Sequence, residues 1–231
     1  MATDPRKRQK KLQRRAAHQK SKHMSLMRQK SAGLPGQLTA AAGCPIIDCL
    51  ATMDLWDQGM GWIILSRQLP NGAVAFAMFL VDRYCLGVKN ANANIGSRFD
   101  YNELILNKVK SQYQVKTISP ADARRIVESA VTFARNLGFR PHADCQRACL
   151  LFGSIDPAQA TEELEFGKDG KPMFISGPFD NAARCREILA TLERSCGPGG
   201  FEFFLPMKPV GGNALEPPEE ELPLMDEEID D

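Results

Sequence analysis

The chain has 231 residues, of which 43% are hydrophobic and 25% charged, and its formal net charge is +1. A chain of this length and apolar content can bury a substantial core, as one domain or as two small ones. No run approaches the ~18 consecutive apolar residues that a membrane-spanning helix needs, which excludes that class of protein.

Charge is concentrated at the two ends of the chain. Residues 1–30 contain eleven Lys and Arg with one acid, whereas residues 214–231 contain nine Asp and Glu and no base. Residues 31–213 contain eighteen of each sign and are neutral. Because charged segments with little to bury stay disordered, the two ends are expected to differ from the body between them.

Composition changes along the chain predict three regions. We expect a basic disordered arm and linker at 1–43, an α+β body at 44–205 and an acidic disordered tail at 206–231. The body can also divide into two subdomains, 44–118 and 119–205.

The seven cysteines indicate the redox compartment. Their number is odd, and the charged N-terminus lacks the apolar stretch of a secretory signal. The thiols are therefore expected to be reduced, which favours a cytoplasmic protein. The Arg-rich, acid-poor N-terminus also fits an organellar transit peptide, although its apolar stripe is thin.

The first half of the body contains the strongest β signal. Pro45 predicts the start of a helix with an apolar stripe. Two apolar runs, 62–65 and 73–81, flank an Asn-Gly sequence and predict a hairpin, and the second run is apolar on both faces, as in an interior strand. A third strand, or a bent continuation of the second strand past a bulge at Gly87, is expected at 84–89, followed by a loop at 90–100.

Helices are predicted in the middle of the chain. One is expected at 101–110. Ser119 and Pro120 predict the start of another, which carries apolar residues at helical spacing and ends at Gly138. A further helix is expected at 141–152.

The last part of the body is predicted to be a second α/β unit. An Asp-Gly sequence between 164–166 and 173–175 predicts a second hairpin. A helix is expected after Asp180, and a final strand at 201–205. The whole body is then an α+β fold, with two β-hairpin regions packed with four to five helices and with disordered termini.

The basic arm is the best functional signal in the sequence. A dense cationic cluster neutralises phosphates and releases counterions, which gives affinity without reading sequence. We therefore expect non-catalytic binding of nucleic acid, RNA more than DNA, or of a ribonucleoprotein. The alternative is a solubilising arm, or one that folds back on the acidic tail. The cluster consists of Arg6, Lys7, Arg8, Lys10, Lys11, Arg14 and Arg15.

The acidic tail has two interpretations. It can mimic nucleic acid and compete with phosphates for the basic arm. It can equally be a solvated tail, which is the commoner role of such a charge run.

One trio of residues has metal-ligand chemistry. His142, Cys145 and Cys149 have the spacing i, i+3 and i+7, which would place them on one helical face, and two thiolates with an imidazole can bind zinc. The sequence shows no fourth ligand and no Cys-x-x-Cys pair, and cysteines on a helix face are more often small core residues. We therefore predict no metal and no cofactor.

Asp82 carries the alternative interpretation as an enzyme. It follows the interior strand, and together with Asp48, Glu103 and Asp122 it would form a metal-dependent hydrolase or nuclease. An Asp at a strand end more often caps a turn, and the sequence contains no nucleophile, phosphate-loop or dinucleotide motif. A third interpretation is a protein–protein adaptor, which leaves the partner and the oligomeric state open.

Two stretches resemble a known group of proteins. Residues 81–91, read as VDRYCLGVKNA, form one stretch, and the segments at 152–157, 165–172 and 175–178 form the other. They resemble an uncharacterised family of bacterial proteins that often begin with a Lys/Arg-rich arm. The resemblance implies a bacterial cytoplasmic setting, and it implies no activity.

Overall fold

The structure, a computed structural model, describes residues 33–177 and 180–205. Its centre is a five-stranded antiparallel sheet with the strand order β4-β3-β2-β1-β5. The strands are β1 Ile46–Thr52, β2 Met60–Gln68, β3 Val74–Asp82, β4 Gly87–Gly96 and β5 Val115–Thr117. A separate parallel pair is formed by β6 Met173–Ile175 and β7 Glu202–Phe204.

The described part of the chain contains six helices. The third (98–112) is a single helix whose middle turn, Tyr101–Leu106, has π-helical hydrogen bonds. In chain order, the helices are α1 Leu34–Ala41, α2 Asp54–Asp57, α3 at 98–112, α4 Pro120–Asn136, α5 Cys145–Cys149 and α6 Ala182–Cys196. The predicted α+β class is confirmed. No helix among the described residues is long and apolar enough to cross a membrane.

The hairpin of β2 and β3 organises the sheet and was correctly predicted. Asn71 accepts the backbone N–H of Ala73 at 3.1 Å, and Leu69 and Ala73 close the turn. The strands then pair without a break from Met60 with Asp82 to Gln68 with Val74. As predicted, β3 is an interior strand, because β2 and β4 flank it.

Helices cover the two faces of the sheet unequally. Face A packs against α1, α4 and α5 in the largest hydrophobic cluster, to which β3 contributes Phe79 and Ala77. Face B packs against α3, whose Tyr101, Ile105 and Val109 are buried there. Sheet residues of face B in this second cluster are Leu50, Ile64, Val74, Phe76 and Met78.

The predicted helix after Pro45 is wrong, because residues 46–52 form β1. Ile46 and Ile47 are β-branched and fit a strand as well as a helix. The backbone of this segment pairs with β2 on one side and with β5 on the other. Pairing with two strands outweighs the helical spacing of a few apolar residues.

The predicted loop at 90–100 is also wrong, because β4 continues to Gly96. Its Ala91 and Ala93 are buried on face A, whereas Asn90 and Asn92 alternate onto face B. The NANAN sequence therefore has the period of two of a strand that is buried on one side. Asn is rare in strands, which hid this period in the sequence.

Other boundaries needed correction. Part of the predicted linker, Leu34–Ala41, is helical, and its Leu38 is fully buried. The helix predicted at 141–152 is shorter, since α5 spans Cys145–Cys149 and a 3-10 turn follows. By contrast, α4 begins and ends close to its predicted bounds, with the Ser119 side chain accepting the N–H of Asp122.

The second hairpin region is only partly correct. Lys168 and Lys171 form an isolated antiparallel bridge around Asp169 and Gly170, both of which have positive φ. The strand predicted before this turn is absent in the described chain. Instead, β6 pairs in parallel with β7 after the intervening α6, which packs against the turn between β3 and β4.

Candidate ligand-binding groove

Helix α3 covers only part of face B, and the uncovered part forms a groove. One cross-strand row of this face consists of Trp62 on β2, Leu80 on β3 and Asn90 on β4. Trp62 and Leu80 are half-buried, unlike the fully packed row beneath α3. The groove therefore has an apolar, aromatic floor that water can reach.

The walls of the groove come from elements that are distant in sequence. Tyr113 follows α3, and Met173 and Ile175 belong to β6. Met60, at the start of β2, and Ile175 are each 41% exposed. The cavity has a volume of about 470 Å³, which falls in the range of small-molecule sites, roughly 300–1,000 Å³.

Charged groups enter the groove from separate elements. Asp54 and Asp57 come from α2, Lys89 from a bulge in β4, and Lys168 from the turn before β6. In the described part of the chain, Asp54 accepts a hydrogen bond from Gln58 at 3.2 Å, whereas Asp57, Lys89 and Lys168 have no hydrogen bond or ion pair of their side chains. Asp57 and Lys168 can therefore meet a ligand, whereas the Lys89 charge also acts on the Asp82 carboxylate.

The edge of face B carries two amide side chains. Asn90 and Asn92 are half-buried on β4, beside Leu80 and Met78. Within residues 33–177 and 180–205, neither side chain has a hydrogen-bond partner, whereas Asn94 accepts the N–H of Ile95 at 2.8 Å. An amide offers donors and an acceptor together, so this edge can hydrogen-bond the polar rim of a planar ligand.

Asp82 lies beneath the groove and holds a turn. Its carboxylate accepts the backbone N–H groups of Tyr84, Cys85 and Leu86 at 2.9, 3.0 and 3.2 Å. Burial raises the pKa of Asp82, while the Lys89 charge and these N–H groups act in the opposite direction. The carboxylate is thus the cap of the turn that leads into β4.

Arg83 fixes the position of α2 beside the groove. Its guanidinium donates to the carbonyls of Leu55, Trp56 and Glu165 at 2.9, 3.0 and 2.8 Å. It also lies 4.7 Å from the centre of the Tyr84 ring. A planar guanidinium with five donors suits such a cluster of carbonyls, so α2 and the chain near residue 165 are held together.

The other carboxylates proposed for a hydrolase lie in different places. Asp48 accepts hydrogen bonds from Ser66 and Tyr101 at 3.1 and 3.0 Å, and Asp122, in the first turn of α4, accepts from the Ser119 hydroxyl at 2.6 Å. Glu103 accepts from Asn107 on the outside of α3. Across the described ranges, no group of three or more His, Cys, Asp or Glu could hold a metal ion.

The His-Cys-Cys trio does not share a helical face, because His142 precedes α5. His142 Nδ1 accepts the N–H of Asp144 at 3.2 Å. Cys145 and Cys149 are hydrogen-bond partners, which lowers the pKa of Cys145 and raises that of Cys149. All three residues still border one cavity between α4 and α5.

The seven predicted arm residues, Arg6 to Arg15, lie outside the described residues, so their nucleic-acid role stays a prediction.

Sequence reasoning missed the groove residues Trp62, Tyr113 and Lys168. One signal was present, since alternating Asn and Ala in β4 indicates a polar face of the sheet.

Comparisons with protein-family models, with curated proteins and with solved structures found no match to this chain.

Proposed function

We propose that the protein binds nucleic acid without catalysis, RNA in preference to DNA, with its basic arm as the main source of affinity. One observation carries the proposal, namely eleven Lys and Arg with one acid in residues 1–30 beside a neutral stretch at 31–213. A ribonucleoprotein presents the same kind of RNA phosphates, so binding to a ribonucleoprotein is included in this proposal.

The expected energetics follow from counterion release. If about five of the arm cations meet phosphates, the logarithm of affinity falls with the logarithm of salt concentration with a slope of roughly −4. Such binding is insensitive to sequence, because phosphates carry no sequence information. The body must therefore supply any selectivity, and its groove offers aromatic, amide and charged groups for that purpose.

The test is a titration of labelled 12-nucleotide RNA and DNA strands at several salt concentrations. The full chain is compared with a variant in which Arg6, Lys7, Arg8, Lys10, Lys11, Arg14 and Arg15 are all Gln. This variant keeps the length of the arm and lowers its net charge from +10 to +3. A matched control replaces seven exposed body residues of the same types that lie away from the groove.

We expect steep salt dependence for the full chain and for the control, and a much shallower slope for the arm variant. Tighter binding of RNA than of DNA would support the preference stated above. Equal affinity of the full chain and the arm variant at every salt concentration would refute the proposal.

A further inference from the structure

We propose that the groove on face B binds one unstacked nucleobase of the strand whose phosphates the arm holds, and that it prefers bases with an exocyclic amino group. This inference rests on the proposed function and adds a site and a base preference to it. The occupant is a single-stranded nucleic acid, not a peptide or a lipid.

The floor of the groove provides the stacking surface. Trp62 and Leu80 form its centre, and Tyr113 stands beside them. Indole and phenol rings stack on any base, and such contacts are a general feature of proteins that bind single strands. The arm has no aromatic residue, so the body must supply this contact.

The polar groups of the groove determine the base preference. Asp57 has no side-chain partner in the described chain, and a carboxylate accepts hydrogen bonds from an amino group such as cytosine N4. Asn90 lies in the same cross-strand row as Trp62 and Leu80, and its amide can donate and accept at a base edge. Uracil and thymine carry a carbonyl oxygen in place of the amino group and cannot donate to the Asp57 carboxylate, so they lack this hydrogen bond and bind less well.

The charges of the groove suit a base that is flanked by phosphates. Lys89 and Lys168 have no ion pair among the described residues, and each can meet a phosphate next to the bound base. Asp54 and Asp57 repel phosphates from the α2 side. The groove therefore offers carboxylates to the base and ammonium groups to the neighbouring phosphates.

Tryptophan fluorescence reports stacking directly. The chain contains two tryptophans, so Trp56→Phe leaves Trp62 as the reporter, and Trp62→Phe leaves Trp56 as the matched control. Each variant is titrated with rC5 and rU5 oligonucleotides, and binding is measured in parallel by anisotropy of the labelled oligonucleotide.

We expect rC5 to quench Trp62 in the Trp56→Phe protein, and rU5 to do so only at higher concentration. Asp57→Asn should reduce the preference for rC5 over rU5. Trp62→Ala should weaken rC5 binding about tenfold, whereas Trp62→Phe should weaken it less. Circular dichroism and a melting curve show whether each variant is folded.

Two failures can be told apart. Salt-dependent binding through the arm, with unchanged Trp62 fluorescence and no effect of Trp62→Phe or Asp57→Asn, overturns the groove site and leaves the proposed function intact. Quenching of Trp62 that persists unchanged in the Gln variant of the arm, with the same salt slope, overturns the proposed function and keeps the groove. Equal quenching by rC5 and rU5 overturns the base preference.

Discussion

At the residue scale, Arg67 is a buried cation that bonds only to carbonyl oxygens. It is 6% exposed and donates from Nη1 to Cys44 at 2.6 Å, from Nε to Leu151 at 3.0 Å and from Nη2 to Phe152 at 3.3 Å. Burial lowers the pKa of Arg67. This side chain joins the start of β1 to the end of the 3-10 turn after α5.

We predict that Arg67→Met destabilises the protein by about 3 kcal/mol, because three carbonyls lose their donors and those that stay buried are costly to leave unpaired. Arg67→Lys should destabilise it less, since one ammonium can satisfy part of the cluster. Urea denaturation measures the free energy of unfolding of each variant. Arg135→Met, at an exposed position without a side-chain hydrogen bond in the described chain, is the control. A loss in Arg67→Met no greater than in that control would contradict the prediction.

A second prediction at this scale concerns a close approach of the backbone. Gly59 has φ of +80°, and a Cβ there would lie 2.1 Å from the Tyr84 ring. Gly72 has φ of +87° and open space around it. Both Ala variants strain the backbone by about 1 kcal/mol, but only Gly59→Ala must also displace the ring. We expect Gly59→Ala to have a lower free energy of unfolding, measured in urea, than Gly72→Ala. Equal losses of stability in the two variants would show that the Tyr84 ring moves without cost.

At the element scale, α4 holds the long segment that follows the 3-10 turn. Asp122 accepts the N–H groups of Thr161 and Glu162, both at 2.7 Å, and Arg125 donates to the carbonyls of Ala160 and Glu162. The chain at 160–162 is thus fixed on both its donor and its acceptor sides. The free energy of unfolding of the protein should therefore depend on the ionisation of Asp122.

Burial acts to raise the pKa of Asp122, but hydrogen bonds from Ser119, Glu162 and Thr161 outweigh it, so this pKa lies below its ordinary value. A lowered folded pKa contributes stability that is present above the unfolded pKa of about 3.9 and is lost as pH falls through the folded pKa. We therefore predict that Asp122→Asn is less stable than the natural chain at pH 7, and that the difference shrinks below about pH 4. Urea midpoints at pH 7, 5 and 3 measure it, and a difference that is independent of pH would contradict this role.

The same scale explains which elements the sequence could predict. Helix α4 was predictable because its start signal, Ser119 with Pro120, acts within one turn of the chain. The β2–β3 hairpin was predictable because Asn71 and Gly72 form its turn locally. Strand β1 was not, because its structure depends on partners in β2 that lie a dozen or more residues away.

The residues of the candidate site were also predictable only where a local sequence pattern marks them. Asp82 was visible as a residue at a strand end, and its role as a turn cap was the commoner alternative already considered. The groove was not visible, because Trp62, Tyr113 and Lys168 meet only when β2, the end of α3 and the turn before β6 are assembled. No local pattern links these three positions.

At the scale of the whole molecule, the two ends of the chain carry opposite net charges. The arm carries a net charge of +10 in residues 1–30 and the tail a net charge of −9 in residues 214–231. Opposite charges attract over about 10 Å at 0.1 M salt. Phosphates and the tail carboxylates therefore compete for the same arm cations if the two ends can approach each other.

We predict that replacing the nine tail acids with Gln and Asn raises the affinity for a single-stranded RNA several-fold at 50 mM salt. The gain should vanish towards 1 M salt, where screening shortens the interaction to about 3 Å. The same tail change in the chain with the Gln-substituted arm is the matched control, and there it should have no comparable effect on affinity. Anisotropy titrations of the four proteins give a double-mutant cycle, whose coupling energy measures the contact between arm and tail. A coupling energy of zero would mean that the tail is solvated and acts independently, so that the arm is always available to nucleic acid.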